Sequence, residues 1–298
     1  MKRLAAALRQ TVGLIRADQR IWLPFLVTVT VEVLLLLLVW LAPHPPYSKF
    51  FAPPIRYFFS DAVLHYPWHL LFLYHVMKHT NVIAAVLVGA YMTGIACAMV
   101  GQRFERQPMS LRNALVSRKV RYGRVVLLWT VLWGTAKLGT EWISRQFPPA
   151  PWLSWALVAG LVLFQSLMVY AIPISVFTGA NWFKSIGRSA MEACRHPMTT
   201  LAPVMVFSVP LILFMGLAPM VRVSQWMKQF APELVLVFIA VRLMLWMLSD
   251  ALLTLTISHL WWLRRTPAHV GQLKKPLAAP APAPRVSKRI LEEGPAVA

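Results

Sequence analysis

Residues 21–42 read IWLPFLVTVTVEVLLLLLVWLA, an apolar run whose only charged residue is Glu32. A helix needs about 20 apolar residues to cross the roughly 30 Å of hydrocarbon in a bilayer. The stretch therefore predicts a transmembrane helix. Its N-terminal flank is basic through Arg20 and no A-x-A cleavage site follows it, so we expect an uncleaved first span instead of a removed signal peptide.

Five further apolar segments follow along the chain. They cover Val82–Val100, Val125–Ile143, Trp152–Phe177, Leu201–Ala218 and Leu234–Trp262. Of the 298 residues, 58% are hydrophobic and only 13% are charged, whereas a soluble domain carries about 25% charged residues. Backbone groups in hydrocarbon must be satisfied within helices. The predicted fold class is therefore an all-α, polytopic membrane protein with about six transmembrane helices.

The distribution of Lys and Arg predicts the topology. Of 30 basic residues, 22 lie on the side that holds both termini: before the first span, in the second-to-third and fourth-to-fifth connections, and after the sixth span. The opposite side holds seven. The positive-inside rule then places both termini in the cytoplasm, with the protein in a bacterial inner (plasma) membrane. Topology explains the net charge of +20, so we expect no nucleic-acid partner.

The predicted organisation has three parts. Residues 1–20 form a cytoplasmic amphipathic helix, residues 21–263 form the membrane domain, and residues 264–298 form a disordered, Ala/Pro-rich cytoplasmic tail. Residues 43–81 form a long outer loop rich in proline and aromatic residues. Because amphipathic aromatic side chains favour the headgroup level, we expect this loop to lie in the outer membrane interface.

An offset of 179 residues aligns two parts of the sequence. It matches Arg9 with Arg188, Arg16 with Arg195, and Pro24 with Pro203. In both copies a basic amphipathic stretch leads into a proline-bearing span. The second-to-third connection repeats the spacing more weakly, with Arg112 and Lys119 and no matching proline. Three repeats of an interfacial helix plus a helix pair are one interpretation, and chance similarity is the other.

The basic residues of residues 2–20, the first copy, fall on one helical face, and so do those of residues 184–195, the third copy. In the first copy, Leu4, Leu8, Val12 and Ile15 lie opposite. Such a helix lies in the membrane interface, where each Lys or Arg near anionic lipid contributes roughly 1 kcal/mol. We predict binding of anionic lipid at Arg9, Arg16, Arg112, Lys119, Arg188 and Arg195. The alternative is that these residues only enforce topology during insertion.

The two basic segments, LRQTVGLIRADQRIWLPFL (residues 8–26) and FKSIGRSAMEACRHPMTTLAPV (residues 183–204), also carry a family resemblance. Over residues 1–263 the chain resembles bacterial six-helix membrane proteins, including the membrane domain fused to some glycerophosphodiester phosphodiesterases. The sequence contains no phosphodiesterase domain, so that activity is not implied. The resemblance implies an accessory or lipid-associated role and brings no site residues with it.

Three ionisable residues lie inside the predicted spans: Glu32 in the first, and Arg242 and Asp250 in the sixth. Burying charge in hydrocarbon is costly, so such residues are functional candidates. We predict that Glu32 pairs with Arg242 across two helices and fixes their packing. The alternative is a relay for protons or substrate.

Four histidines cluster before and at the start of the second span: His65, His69, His75 and His79. Two HxxxH pairs place imidazoles on one helical face, where they can bind zinc, iron or haem. However, Pro67 is expected to begin the helix and leave His65 outside it. The sequence contains no HExxH or CxxCH motif, and Cys97 and Cys194 match no zinc-site spacing. We therefore predict interfacial histidines, and neither a metal nor a cofactor.

Catalytic motifs are absent from the sequence: it contains no G-x-S-x-G, P-loop or H-E-x-x-H pattern. We therefore expect a non-catalytic membrane component that organises lipid or a membrane protein complex, with anionic lipids and possible membrane subunits as partners. One alternative is a transporter or permease subunit that docks a cytoplasmic partner through its basic helices. A second is a membrane-embedded, lipid-modifying enzyme.

Overall fold

The computed structural model describes residues 2–58, 60–65, 68–117, 119–148, 150–217 and 233–265. All regular secondary structure in these ranges is helical, with short 3-10 turns at Gln19–Trp22 and Asp61–Leu64 and a π turn at Ala85–Gly89. The α-helices in these ranges are α1 (Lys2–Ala17), α2 (Leu23–Leu41), α3 (Ser48–Phe58), α4 (Trp68–Ala84), α5 (Ala90–Phe104), α6 (Leu111–Val116), α7 (Tyr122–Gln146), α8 (Pro151–Met168), α9 (Ala171–Thr178), α10 (Trp182–Arg195), α11 (Pro197–Leu217) and α12 (Leu234–Arg265).

Four segments of the described chain are long and apolar enough to cross a membrane: Gln19–Leu41, His79–Phe104, Trp152–Thr178 and Leu234–Arg265. They match the first, second, fourth and sixth predicted spans. The third, α7, has 25 residues but carries Lys137, Glu141 and Arg145 in its second half. The fifth, α11, is apolar, but its apolar part, Pro197–Ile212, is shorter than the four segments that could cross a membrane. The all-α prediction is thus confirmed for the described residues, in which four helices are long and apolar enough to cross a membrane; six spans and the threefold repeat are not confirmed.

Helix α5 lies at the centre of the bundle, packed against α2, α9 and α12. Its residues from Thr93 through Gln102 are all buried. Small residues let neighbouring helices approach closely, as is common in membrane bundles. At Gly101, for example, an added Cβ would lie only 3.1 Å from the ring of Phe177 on α9.

Helices α1 and α10 lie at the same end of the bundle, beside the last turns of α12. The hydroxyl oxygen of Thr11 on α1 lies 3.3 Å from Nδ1 of His259 on α12. Glu192 on α10 accepts a 3.1 Å hydrogen bond from Arg264, also on α12. We call this end, which comprises α1, α10 and residues 259–265, the basic end.

Helix α10 is fixed to the bundle by a stripe of small buried residues, Ser185, Ser189 and Ala193. Ser189 lies at the break between α8 and α9. Its hydroxyl donates to the carbonyl oxygen of Leu167 across 2.7 Å and accepts from the backbone N–H of Tyr170 across 3.2 Å. One side chain thereby satisfies a donor and an acceptor that the interrupted helix leaves without helical partners.

The structure adds detail to two predicted segments, the C-terminal tail and the outer loop. Helix α12 continues through Arg264 and Arg265, which the sequence had assigned to the tail; residues 266–298 lie outside the described residues. The outer loop, residues 43–81, contains α3 and most of α4. Within α3, Phe50, Tyr57 and Phe58 are strongly exposed, a pattern typical of a segment in the membrane interface.

Candidate functional site

The predicted lipid-binding residues Arg9 and Arg16 are exposed on α1. Leu4, which the sequence had placed on a lipid-facing apolar stripe, is buried instead, as are Ala7, Thr11 and Leu14, and α1 packs on α12. Val12 remains 45% exposed, on the flank between this packed face and the arginines. A helix held in this way leaves one apolar flank and one basic face exposed.

An open groove of about 860 Å³ runs from the end of α1 along α2 and α12. Arg16 and Arg20 line the groove where the chain passes from α1 to α2. Its wall is mainly apolar and is formed by Ile15, Trp22, Leu23, Leu26, Met247 and Leu248. Guanidinium groups bind phosphate strongly, and leucine and methionine side chains suit an acyl chain. We call this feature the arginine groove.

Sequence reasoning placed Arg16 in the lipid site but omitted Arg20 from it. Arg20 lies on the same basic stripe and could have been included on that ground. The α12 wall, with Met247 and Leu248, has no sequence signal, because it depends on which helix packs beside α2.

Arg188 and Arg195 are exposed on α10, on the side of the helix away from its buried serines. Phe183 is exposed on the other flank. Helix α10 therefore combines a packed stripe, a basic flank and an apolar flank, as α1 does. No described contact brings Arg188 or Arg195 to the arginine groove.

Arg112 and Lys119, the predicted lipid ligands in the second-to-third connection, do not lie on a long packed helix as the other four do. Arg112 is exposed on α6, a helix of six residues. Lys119 forms a 2.6 Å ion pair with Glu105, which follows α5. A lipid phosphate would have to compete with this carboxylate, so Lys119 is a weaker candidate than the sequence suggested.

Glu32, Arg242 and Asp250 are the three ionisable residues inside the predicted spans. Glu32 and Arg242 are only 6% and 8% exposed. Arg242 acts electrostatically on Glu32, but among the described residues no ion pair within 4.0 Å and no hydrogen bond joins the two side chains. The predicted pair thus makes no direct contact among the described residues, and its coupling stays a prediction. Glu32 instead lines a cavity of about 50 Å³ together with Asp250.

Asp250 lies eight residues after Arg242, about 12 Å farther along α12. The Thr93 hydroxyl of α5 lies 3.3 Å from its carboxylate. Asp250 also lines two larger cavities of about 300 Å³ and 360 Å³, and Trp129 of α7 borders both. The register of α2 against α12 thus brings the two carboxylates, not the opposite charges, to one space.

The histidines are spread over the outer segment. His65 precedes α4 and its Nε2 lies 3.3 Å from Asp61, while the rings of His69 and His44 are 6.2 Å apart. A hydrogen bond from Arg56, with a further one from His65, holds the pKa of Asp61 below its usual range. His79 is exposed, and the His75 side chain lies outside the described residues. Within the described part of the chain, no group of three or more His, Cys, Asp or Glu residues is arranged to hold a metal ion.

Comparison with known proteins adds no assignment to this geometry. No protein-family model, curated protein or solved structure matches the chain.

Proposed function

We propose that this protein is a non-catalytic component of a bacterial inner membrane that binds anionic phospholipid at its basic end and so organises lipid around itself or a partner complex. The observation that carries the proposal is the arginine groove. Arg16 and Arg20 lie where a phosphate would be, and an apolar wall formed by α2 and α12 leads away from them.

The chemistry of the groove favours an anionic phospholipid over a zwitterionic one. In phosphatidylcholine the choline ammonium would lie near the two guanidinium groups and repel them. Phosphatidylglycerol and cardiolipin carry no such cation. Each basic residue near an anionic surface contributes roughly 1 kcal/mol, so two arginines give a preference of one to two orders of magnitude.

The connectivity of the helices supports six spans. Helix α5 ends at the basic end, where Phe104 stacks on Trp262 at 5.2 Å. Helix α9 also ends there, with Phe177 at 5.5 Å from Trp262. Because α8 leads into α9, α8 begins at the opposite end, and α7 must cross between them. By the same reasoning α11 leads from α10, at the basic end, towards the start of α12 at the opposite end.

The charge distribution supports the orientation. With six spans, the side of the membrane that holds the basic end carries 22 of the 30 Lys and Arg residues of the sequence. We therefore propose that this end faces the cytoplasm, where anionic headgroups would meet α1 and α10.

A lipid-dependent stability measurement tests the proposal. We expect phosphatidylglycerol, added to delipidated protein in detergent at about ten times its Kd, to raise the Tm by about 2–3 °C. Phosphatidylcholine should have a much smaller effect. The double variant Arg16→Gln/Arg20→Gln should lose most of the shift with phosphatidylglycerol.

The matched control removes two charges from the opposite end, with Lys49→Gln/Arg145→Gln. Both side chains are exposed and lie outside the arginine groove. This control should keep the full shift. Equal shifts in both double variants would mean that anionic lipid acts through net charge alone, and the groove would not be its site.

A further inference from the structure

We propose that the cavities around Asp250 form a binding site for a small organic cation, such as a primary amine or a quaternary ammonium group. The inference does not depend on lipid binding at the basic end. Its starting point is that Asp250 lines three neighbouring cavities, of about 50, 300 and 360 Å³. The two larger ones have the size of ordinary small-molecule sites.

The charges at this place favour a cation. Glu32 and Asp250 line the smallest cavity together, and Arg242 is the basic residue that acts on Glu32. With both carboxylates ionised, their two negative charges would exceed the single positive charge of Arg242 by one. Because uncompensated charge is costly within a membrane, a monovalent cation would balance the site.

The surroundings of Glu32 give a second, independent reason to expect a ligand in these cavities. It is nine-tenths buried, and among the described residues no group donates a hydrogen bond to its carboxylate or forms an ion pair with it within 4.0 Å. Buried carboxylates are normally hydrogen-bonded or paired. A carboxylate that faces a cavity without a direct partner is therefore placed to receive one from a ligand.

The walls suit an organic cation better than a bare metal ion. Trp129 borders all three cavities, Trp133 borders one of the larger two, and Trp246 borders the smallest and the other larger one. Indole rings attract cations strongly when water is excluded. The same wall already shows this chemistry, because the Lys137 ammonium lies 5.1 Å from the Trp133 ring centroid.

The backbone beside the site is also irregular. The π turn Ala85–Gly89 contributes Ala85 and Gly89 to the smallest cavity. Single π turns inside α-helices occur often at functional sites. Here the turn lies next to Thr93, whose hydroxyl contacts both Gly89 and Asp250.

Binding can be measured with phenethylamine as the probe and 2-phenylethanol as its neutral counterpart. Titration calorimetry on the purified full chain in detergent gives the affinities. We expect saturable binding of the amine and not of the alcohol. Glu32→Gln and Asp250→Asn should each weaken amine binding about tenfold or more, as expected for loss of a charged contact. Glu105→Gln, which removes a carboxylate that follows α5 and lines none of the three cavities, should leave it unchanged.

A second measurement uses the unaltered protein, in case these variants fail to fold. Dicyclohexylcarbodiimide labels carboxyl groups in apolar surroundings, and mass spectrometry locates the label. Phenethylamine should protect Glu32 and Asp250 from labelling, and 2-phenylethanol should not. Equal protection by the alcohol, the same protection by sodium or lithium ions alone, or no protection by the amine would each overturn the proposal.

Discussion

Arg264, in the last turn of α12, forms a 3.1 Å ion pair with Glu192 of α10, and the arginine side chain is only 6% exposed. Its other terminal nitrogen donates to the Thr199 hydroxyl across 2.6 Å. The guanidinium also lies 5.2 Å from the ring centroid of Tyr170. A single buried cation thus connects the helix that ends the bundle with α10 and α11.

Replacing this arginine should destabilise the fold. Arg264→Ala leaves Glu192 without its partner and removes the contacts to Thr199 and Tyr170. Loss of one member of a buried pair costs about 3–5 kcal/mol, and we expect the lower end because Glu192 is partly exposed. The free energy of unfolding in detergent measures the effect. The adjacent Arg265→Ala, at an exposed position, should cost less than about 1 kcal/mol; equal costs would show that the ion pair contributes nothing.

Close packing at the centre of the bundle gives a second prediction. Gly101→Ala places a methyl group 3.1 Å from the Phe177 ring, so the free energy of unfolding should fall by about 1–3 kcal/mol. The matched change Gly134→Ala on α7 meets no atom within 4 Å and should raise stability by up to about 1 kcal/mol. If both changes act alike, α5 and α9 are not in contact at Gly101.

The number of spans can be tested by cysteine accessibility. In a Cys194→Ser background, Ser110→Cys lies just before α6, which precedes α7, and Phe147→Cys lies just after α7. Six spans predict that a membrane-impermeant thiol reagent, applied to intact cells, labels residue 147 and not residue 110. Residue 48, at the start of α3, should behave like residue 147. Labelling of residues 110 and 147 from the same side would show that α7 does not cross the membrane.

Acid should loosen the start of α4. Burial, reinforced by the neighbouring His44, lowers the pKa of His69 below its ordinary value of 6.5. The folded segment therefore favours the neutral ring, and its stability falls as the pH drops below about 6.5, where the unfolded segment takes up the proton. Hydrogen exchange of α4, corrected for intrinsic rates, should speed up in this range. His69→Gln should remove the increase, and an unchanged pH dependence in that variant would contradict the assignment.

Features encoded by local pattern could be predicted from the sequence. Apolar runs of span length identified the four long apolar helices, and the 3.6-residue period identified the exposed basic faces of α1 and α10. The i,i+4 spacing of Lys137 and Glu141 on one helix is likewise typical of a local ion pair, and the two side chains lie 3.7 Å apart. All of these depend on neighbours within a few helical turns.

Features that depend on distant contacts could not be predicted. Leu4 and Thr11 are buried because α1 packs on residues some 250 positions later. Opposite sign suggested that Glu32 pairs with Arg242, but the register of α2 on α12 places Glu32 beside Asp250. Nothing in the sequence marks the π turn Ala85–Gly89, and Lys119 meets Glu105 only because the connection after α5 folds back.

The most direct test of the account is to count the lipids that stay bound to the purified protein by native mass spectrometry. The wild-type protein should retain at least one phosphatidylglycerol or cardiolipin, Arg16→Gln/Arg20→Gln should lose it, and Lys49→Gln/Arg145→Gln should keep it. If the first double variant retains as much anionic lipid as the wild type, or if the wild type retains only zwitterionic lipid, the arginine groove is not an anionic-lipid site and the proposed function is wrong.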